Sequence, residues 1–346
     1  MSRTGGGTRL SRQWREWWDV TPDAGLYIGA GYVAMAVVDS AARASRVDPL
    51  PAGAVTPSPV ESNILQPQAL IDRLKEAAAM SRRGEVAVSL PDPTVRVAIL
   101  ELTHVPSRRM ERDALFQHHL ERLFLNSLGR CRFAHQRLPA PAGGRERLLV
   151  SAIRETILEE YESVTRAAGL LPAVVDIAAF HLYNLYEPQL LASLGPSQWA
   201  LFLNLFDQNF TIILLDGSGP RFIRVKAMPG ASTETDLLAR VMAEVDASIR
   251  AAQAAVDGEE PPPVSRLFFF SDRPLTGLAR EMQTVYQAQI TSLQHNGGAA
   301  AQADGSMAPD ADDESKAAQG ATDPLSRPAL TTALAAVSSA GERQRG

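Results

Sequence analysis

Gly29, Gly31 and Ala34 are spaced as G-x-G-x-x-A, and Asp48 follows at about the distance where an acid would meet a ribose hydroxyl. Such a pattern can wrap a pyrophosphate, because glycine lets backbone N–H groups approach phosphate oxygens without a Cβ in the way. Other reactive side chains are poorly placed for chemistry. His118 and His119 are neighbours on one expected helix, about 100° apart, and cannot chelate an ion as an i, i+4 pair would. Glu155 and Glu159 share a helix face, but Arg154 and Arg166 beside them make it a solvated charged face. The single cysteine, Cys131, closes no internal disulfide and lacks thiolate neighbours for zinc. There is no G-x-S-x-G elbow, Walker loop or H-E-x-x-H, so the sequence makes no positive case for an enzyme.

The elements around these residues decide what the glycines do. Alternation predicts strands over Gly25–Ala30 and Val33–Asp39, a short run ending at Val47, a helix over Pro67–Met80, and strands over Glu85–Leu90 and Val95–Leu102 about a Pro91-Asp92-Pro93 turn. A helix opened by Ser107 as N-cap is expected to run to Leu125, with strands near Cys131–Arg137 and Glu146–Ala152. Arg154–Ala168 reads as a helix stopped by Gly169; a buried strand at Ala173–Ile177 and a helix ending near Tyr186, before Pro188, follow. Beyond it come strands Trp199–Leu205, Phe210–Asp216 and Arg221–Lys226, a helix Ser232–Val256, and an apolar strand Val264–Phe270 buried on both faces.

Two of these strand pairs match. Tyr27 and Asp39 are twelve residues apart, as are Asn204 and Asp216, and each interval holds a strand, a turn and a second apolar strand. Two such units about 177 residues apart, each followed by helices and further sheet, indicate a duplicated α/β domain. Actin-like ATPases and sugar kinases are built this way, with the two hairpin turns facing each other across a nucleotide cleft. The competing dinucleotide-fold reading would put residues 33 to 44 in a helix, with Val33, Val37, Val38, Ala41 and Ala42 as its stripe. It leaves the second unit unexplained.

Composition bounds the partners. The 346 residues suit two domains, 45% hydrophobic residues can bury a real core, and the net charge is −5. Residues 296–323 hold six acids against Lys316 and leave the rest balanced, so no nucleic-acid partner is expected. That stretch has only Met307 as a large apolar side chain and is expected to be disordered; a helical face of Leu330, Leu334 and Val337 resumes after Pro328. Trp14, Trp17 and Trp18, with Leu10, form one face of an amphipathic helix over residues 9–18, set to contact the protein's own body, a partner or a lipid interface. No signal peptide or membrane span is read, so membrane association is expected to be peripheral.

The chain also resembles a known family. Gly25-Leu26-Tyr27-Ile28-Gly29, the run from Val86 to Arg96, Ser151-Ala-Ile-Arg-Glu155 with Ala168-Gly-Leu-Leu-Pro172 and Val175-Asp176, and Arg224 to Gly230 together resemble PilM, the actin-like cytoplasmic protein of type IV pilus assembly. The likeness covers roughly residues 25–294, and Ala333-Leu-Ala-Ala336 resembles the family's closing helix. It implies an α/β, duplicated actin-like (ribonuclease H-like) ATPase fold with an inserted small subdomain near residues 86–150. The divisions expected are 1–24 for the Trp-rich helix, 25–190 and 191–294 for the two halves, 295–327 for an acidic linker and 328–346 for the closing helix and tail.

The resemblance further implies a partner, the short cytoplasmic N-terminus of a PilN-like bitopic inner-membrane protein, held in a groove beside the inserted subdomain. Members that bind ATP carry an aspartate in each hairpin and glycines beside it, which hold hydrated Mg²⁺ and phosphate. Here Tyr27 and Asn204 stand for the aspartates, Phe206 for a glycine, and Ser271-Asp272 for the Gly-Gly pair against adenosine, while Gly29 and Gly31 remain. ATP and Mg²⁺ binding are therefore expected to be lost, Asp207 reads as a solvated turn residue, and the chain reads as a non-catalytic adaptor, cytoplasmic and peripheral to the inner membrane. An actin-like ATPase of the same or a type II secretion-like machine is the alternative, then a nicotinamide-dependent oxidoreductase; self-association stays open.

Overall fold

The computed structural model describes residues 22–38, 43–81, 83–125, 128–139, 145–195, 198–207, 209–228, 233–254, 263–272, 276–293, 331–333 and 335–336. Buried throughout, β1 (Ala24–Ile28) turns at Gly29–Gly31 into β2 (Tyr32–Val38), and β3 (Arg43–Pro49) completes an antiparallel meander. α1 (Pro67–Ala78) starts with proline, whose missing N–H is no loss in a first helical turn, and buries Leu70, Leu74 and Ala77. Parallel to β1 lies β4 (Glu85–Leu90). A 3-10 turn at Asp92–Thr94 leads to β5 (Arg96–Leu102), α2 (Arg109–Leu123), β6 (Cys131–Leu138) and β7 (Glu146–Arg154). α3 (Glu155–Ala167) ends at Gly169, whose φ of +85° is open to glycine at little cost; β8 (Leu171–Ile177) and α4 (Ala178–Ala192) finish the first half.

The second half repeats the plan. β9 (Trp199–Phe206), β10 (Asn209–Asp216) and β11 (Gly219–Ala227) form another meander, followed by α5 (Glu234–Ala254), β12 (Val264–Ser271), α6 (Thr276–Tyr286) and β13 (Gln289–Ser292). Strand order is β3-β2-β1-β4-β8 in one sheet and β11-β10-β9-β12-β13 in the other. In both, the meander is antiparallel and the next two strands run parallel to the first. This is a duplicated actin-like α/β fold, and Tyr27 and Asn204 sit on its equivalent strands.

Alternation along β9 divides the interior. Ala200, Phe202 and Phe206 point into a core shared with Tyr27, Phe180 and Tyr183 of the first half, whereas Leu201, Leu203 and Leu205 point to a second core with Val241 and Val245 of α5 and Met282 of α6. β12 does the same with Phe268 and Phe270 against Leu267 and Phe269, which is why Leu267–Phe270 is an unbroken apolar run. One core thus runs across both halves. The sheet β5-β7-β6 buries Ala98, Leu148 and Val150 under Phe116 and Leu120 of α2, while Val97, Leu138, Leu149 and Ile153 on its other face join the shared core.

Several expectations need correction. β4 belongs to the main sheet, between β1 and β8, so the small sheet starts at Arg96 and not near residue 86, and it runs to Arg154. Residues 32–38 are a strand, so the helix that a dinucleotide fingerprint requires is absent there and Gly29–Gly31 is a hairpin turn. Asp48 is on β3, paired with Arg46. The cap of α2 is Arg108, with no side-chain hydrogen bond, in place of Ser107. α4 continues through Pro188, because Tyr186 and Leu190 are buried on either side of it and tertiary packing outweighs the lost N–H. No element is expected from the sequence at 276–292, where α6 and the four-residue β13 lie. Trp14, Trp17, Trp18, Asp39, residues 296–323, Leu330, Leu334 and Val337 lie outside the described residues.

Candidate functional site

The two hairpin turns meet. β9 and β10 are joined by a two-residue connection, which favours a positive φ at its first position; Asp207 occupies it with φ +50°. Its carboxylate lies in the β1–β2 turn. Oδ2 accepts the Ala30 amide at 2.6 Å and the Tyr27 hydroxyl at 2.7 Å, and Oδ1 accepts the Gly31 amide at 3.1 Å. Asp272, just beyond β12, accepts the Asp207 amide at 2.8 Å and fixes the turn from behind. Asp207 is 5% exposed, so the expected solvated turn residue is a buried, fully engaged one.

Gly29 is needed here for space. A Cβ on it would lie 2.0 Å from Asp207 Oδ2 and 2.5 Å from the Tyr27 hydroxyl oxygen. Glycine lets a backbone turn close around an anion, and the anion is supplied by the chain itself. Burial pushes the Asp207 carboxyl up to about 6, with Asp272 adding to the rise, while the Tyr27 hydroxyl and the two amides pull the other way. The Tyr27 hydroxyl is held well above its usual range by burial and by Asp207.

Below the cradle is a second buried carboxylate. Asp92, fully buried in the 3-10 turn, accepts the Ala179 amide at 2.8 Å, Asn204 Nδ2 at 2.9 Å and the Thr211 hydroxyl at 2.6 Å. It therefore joins the start of α4 in the first half to β9 and β10 in the second. Its carboxyl is raised by burial against the pull of those three donors. The Pro-Asp-Pro sequence reads as a surface turn and carries no signal of this role.

The expected site residues thus separate. Tyr27, Gly29, Gly31 and Asp272 converge on Asp207, Asn204 faces Asp92, and Ser271 ends β12 beside Leu205. Phe206 is in the shared core, its ring centroid 5.0 Å from that of Tyr27 and 6.1 Å from that of Phe270. The group on the hairpin amides is Asp207, not Phe206. The amides of Ala30 and Gly31 and the space over Gly29 are thus all taken up by one carboxylate. Among the described residues no group of three or more His, Cys, Asp or Glu side chains is placed to hold a metal ion, and no helix is long and apolar enough to cross a membrane.

No protein-family model matches this chain, and no curated protein does. Among solved structures it is similar to a chain of the PilM-PilN type IV pilus biogenesis complex, with 20% identity and a TM-score of 0.62 over 80% of this chain and 88% of that one. More distant likenesses are the cytoplasmic domain of EpsL, an inner-membrane component of the type II secretion system of Vibrio cholerae, and a Bacteroides thetaiotaomicron protein with an actin-like ATPase fold and unknown function. The first is 11% identical with a TM-score of 0.43 over 72% of this chain and 82% of that one; the second is 11% identical with a TM-score of 0.44 over 80% and 94%. The chain is PilM-like in fold.

Proposed function

We propose that this chain is a non-catalytic, actin-fold adaptor of a type IV pilus assembly machine, cytoplasmic and held at the inner membrane by the cytoplasmic segment of a PilN-like bitopic protein. The observation that carries the non-catalytic part is the Asp207 carboxylate on the amides of Ala30 and Gly31. An incoming phosphate would have to break both hydrogen bonds and that to Tyr27, and displace a like charge, with no opposing carboxylate left at Tyr27 or Asn204 to recruit Mg²⁺. The partner is supported by the fold likeness to a protein solved in complex with PilN. Gripping a peptide needs no chemistry, only a groove or a sheet edge, and the small sheet beside the main body offers the edge of β6.

Calorimetry tests the first part: MgATP titrated into the protein at millimolar nucleotide is expected to give no saturable heat. Tight binding would return the chain to the ATPase class. Co-expression tests the second. The chain should move to the inner membrane with a PilN-like partner and stay in the cytosol when the partner's cytoplasmic N-terminus is removed; an unchanged distribution would count against the adaptor role.

A further inference from the structure

The balanced charge of the body hides a strong segregation. Residues 95–154 contain eleven arginines, no lysine and five acids, a net of +6, while the remaining 286 residues carry −11. This segment is the small sheet with α2. One face of that sheet is sealed into the shared core, so α2 is carried on the other, and α2 packs on β5 and β6. Arg108, Arg130, Arg137, Arg109 and Arg145 have side chains 83%, 87%, 73%, 64% and 58% exposed. Their ion pairs, such as Arg108–Glu111 at 3.3 Å and Arg130–Glu155 at 2.7 Å, are solvated and leave the excess standing.

Apolar side chains protrude from the same lobe. Met110 is 86% exposed, Leu123 56% and Leu125 88%, three of the six large hydrophobic residues exposed among the described residues. Met110 is flanked by Arg108 and Arg109 at one end of α2, and Leu123 and Leu125 follow Arg122 at the other.

We propose that this arginine-rich lobe is a docking surface for an anionic lipid bilayer. Guanidinium groups pair two hydrogen bonds with a phosphodiester, and Met and Leu side chains between them can enter the headgroup boundary, a pairing of charge with apolar insertion that suits a lipid surface. The negative remainder of the chain is repelled by the same surface, so the segregation also sets which end faces it. A nucleic-acid duplex would use the arginines and leave Met110 and Leu125 without a partner. Nothing in the inference needs the pilus adaptor role, because it is read on the chain alone.

The test is co-sedimentation of the full chain with vesicles of phosphatidylglycerol in phosphatidylethanolamine, against phosphatidylcholine vesicles, over a salt series. Preference for the anionic vesicles, weakening with salt, is expected. Replacing Arg108, Arg109, Arg122 and Arg137 together by Gln should weaken binding by about tenfold or more and flatten the salt dependence. Replacing Met110 and Leu125 by Ser should weaken it several-fold while leaving the salt dependence in place. Equal binding to both vesicle types, full binding by the four-arginine variant, or tighter binding to duplex DNA or polyglutamate at the same salt would each overturn the proposal.

Discussion

Asp207 Oδ2 lies 2.6 Å from the amide nitrogen of Ala30, so a side chain of the second half completes a backbone turn of the first. The negative charge that the turn amides of Ala30 and Gly31 meet is thus encoded in the sequence. The two halves are joined through it and, one layer deeper, through Asp92 with Asn204 and Thr211.

Removing the carboxylate should cost stability in two separable ways. Asp207→Ala leaves the Ala30 and Gly31 amides and the Tyr27 hydroxyl without their acceptor and keeps a Cβ at φ +50°. A loss of roughly 2–4 kcal/mol is expected in urea unfolding. Asp207→Gly suffers the same loss of acceptor but relieves the backbone, so it should be about 1 kcal/mol more stable than the alanine variant. Equal stabilities would mean that the turn conformation carries no strain.

The pH dependence has a definite sign. The folded Asp207 carboxyl is raised to about 6, above its value in an unfolded chain, so between about 4 and 6 the folded state binds more protons. Its contribution to stability is therefore greatest in acid and is lost as pH rises through 6. The stability of the wild type minus that of Asp207→Asn should fall by up to roughly 3 kcal/mol between those limits. A difference that rose with pH would show the carboxylate to be better stabilised in the fold than in water.

Gly29→Ala should be strongly destabilising although the position has no unusual φ. Its Cβ would meet Asp207 Oδ2 at 2.0 Å and Tyr27 Cε1 at 2.6 Å, an overpacking that costs about 1–3 kcal/mol beyond the hydrogen bonds it displaces. Adding Asp207→Gly should relieve only part of the loss, since the Tyr27 ring remains. Thermal melts of the single and double variants read this directly.

Asp92→Ala should be the most damaging of these substitutions. It strands Asn204 Nδ2, the Thr211 hydroxyl and the Ala179 amide in a dry interior, for a cost of about 3–5 kcal/mol. Hydrogen exchange should rise at β9, β10 and the first turn of α4 together. Exchange confined to α4 would indicate that Asp92 serves as a helix cap alone.

The fold was legible because its evidence is local and repeated. Strand, turn and strand at a twelve-residue interval need only period-two alternation, and β9 and β12 announce burial on both faces by apolar runs. The cradle was legible in its parts, Gly29 and Gly31, but not in its occupant. Asp207 and Asp92 are acidic residues in turns, which in most chains face water, and what buries them is contact with residues about 177 and 112 positions away. Pairings at such separations leave no periodic trace. β13 carries little signal for a different reason: it has four residues with Ile290 as the one large apolar side chain, too few for an alternation to show, and it is held by its pairing with β12. The charge of residues 95–154 was hidden by averaging over the chain.

The ends of the chain give the halves unequal status. After β13 the polypeptide returns to the first half, where Ala333 and Ala335, from the helical residues 331–333 and 335–336, enter the shared core and Ala336 packs with Ala87 of β4 and Val174 of β8. The first half is thus discontinuous in sequence and the second is nested within it. Truncation after Leu293 would leave every strand of the second sheet in place and uncover part of the shared core together with Ala87 and Val174 of the first sheet, so a C-terminal deletion would be felt in a sheet other than the one whose last strand it follows.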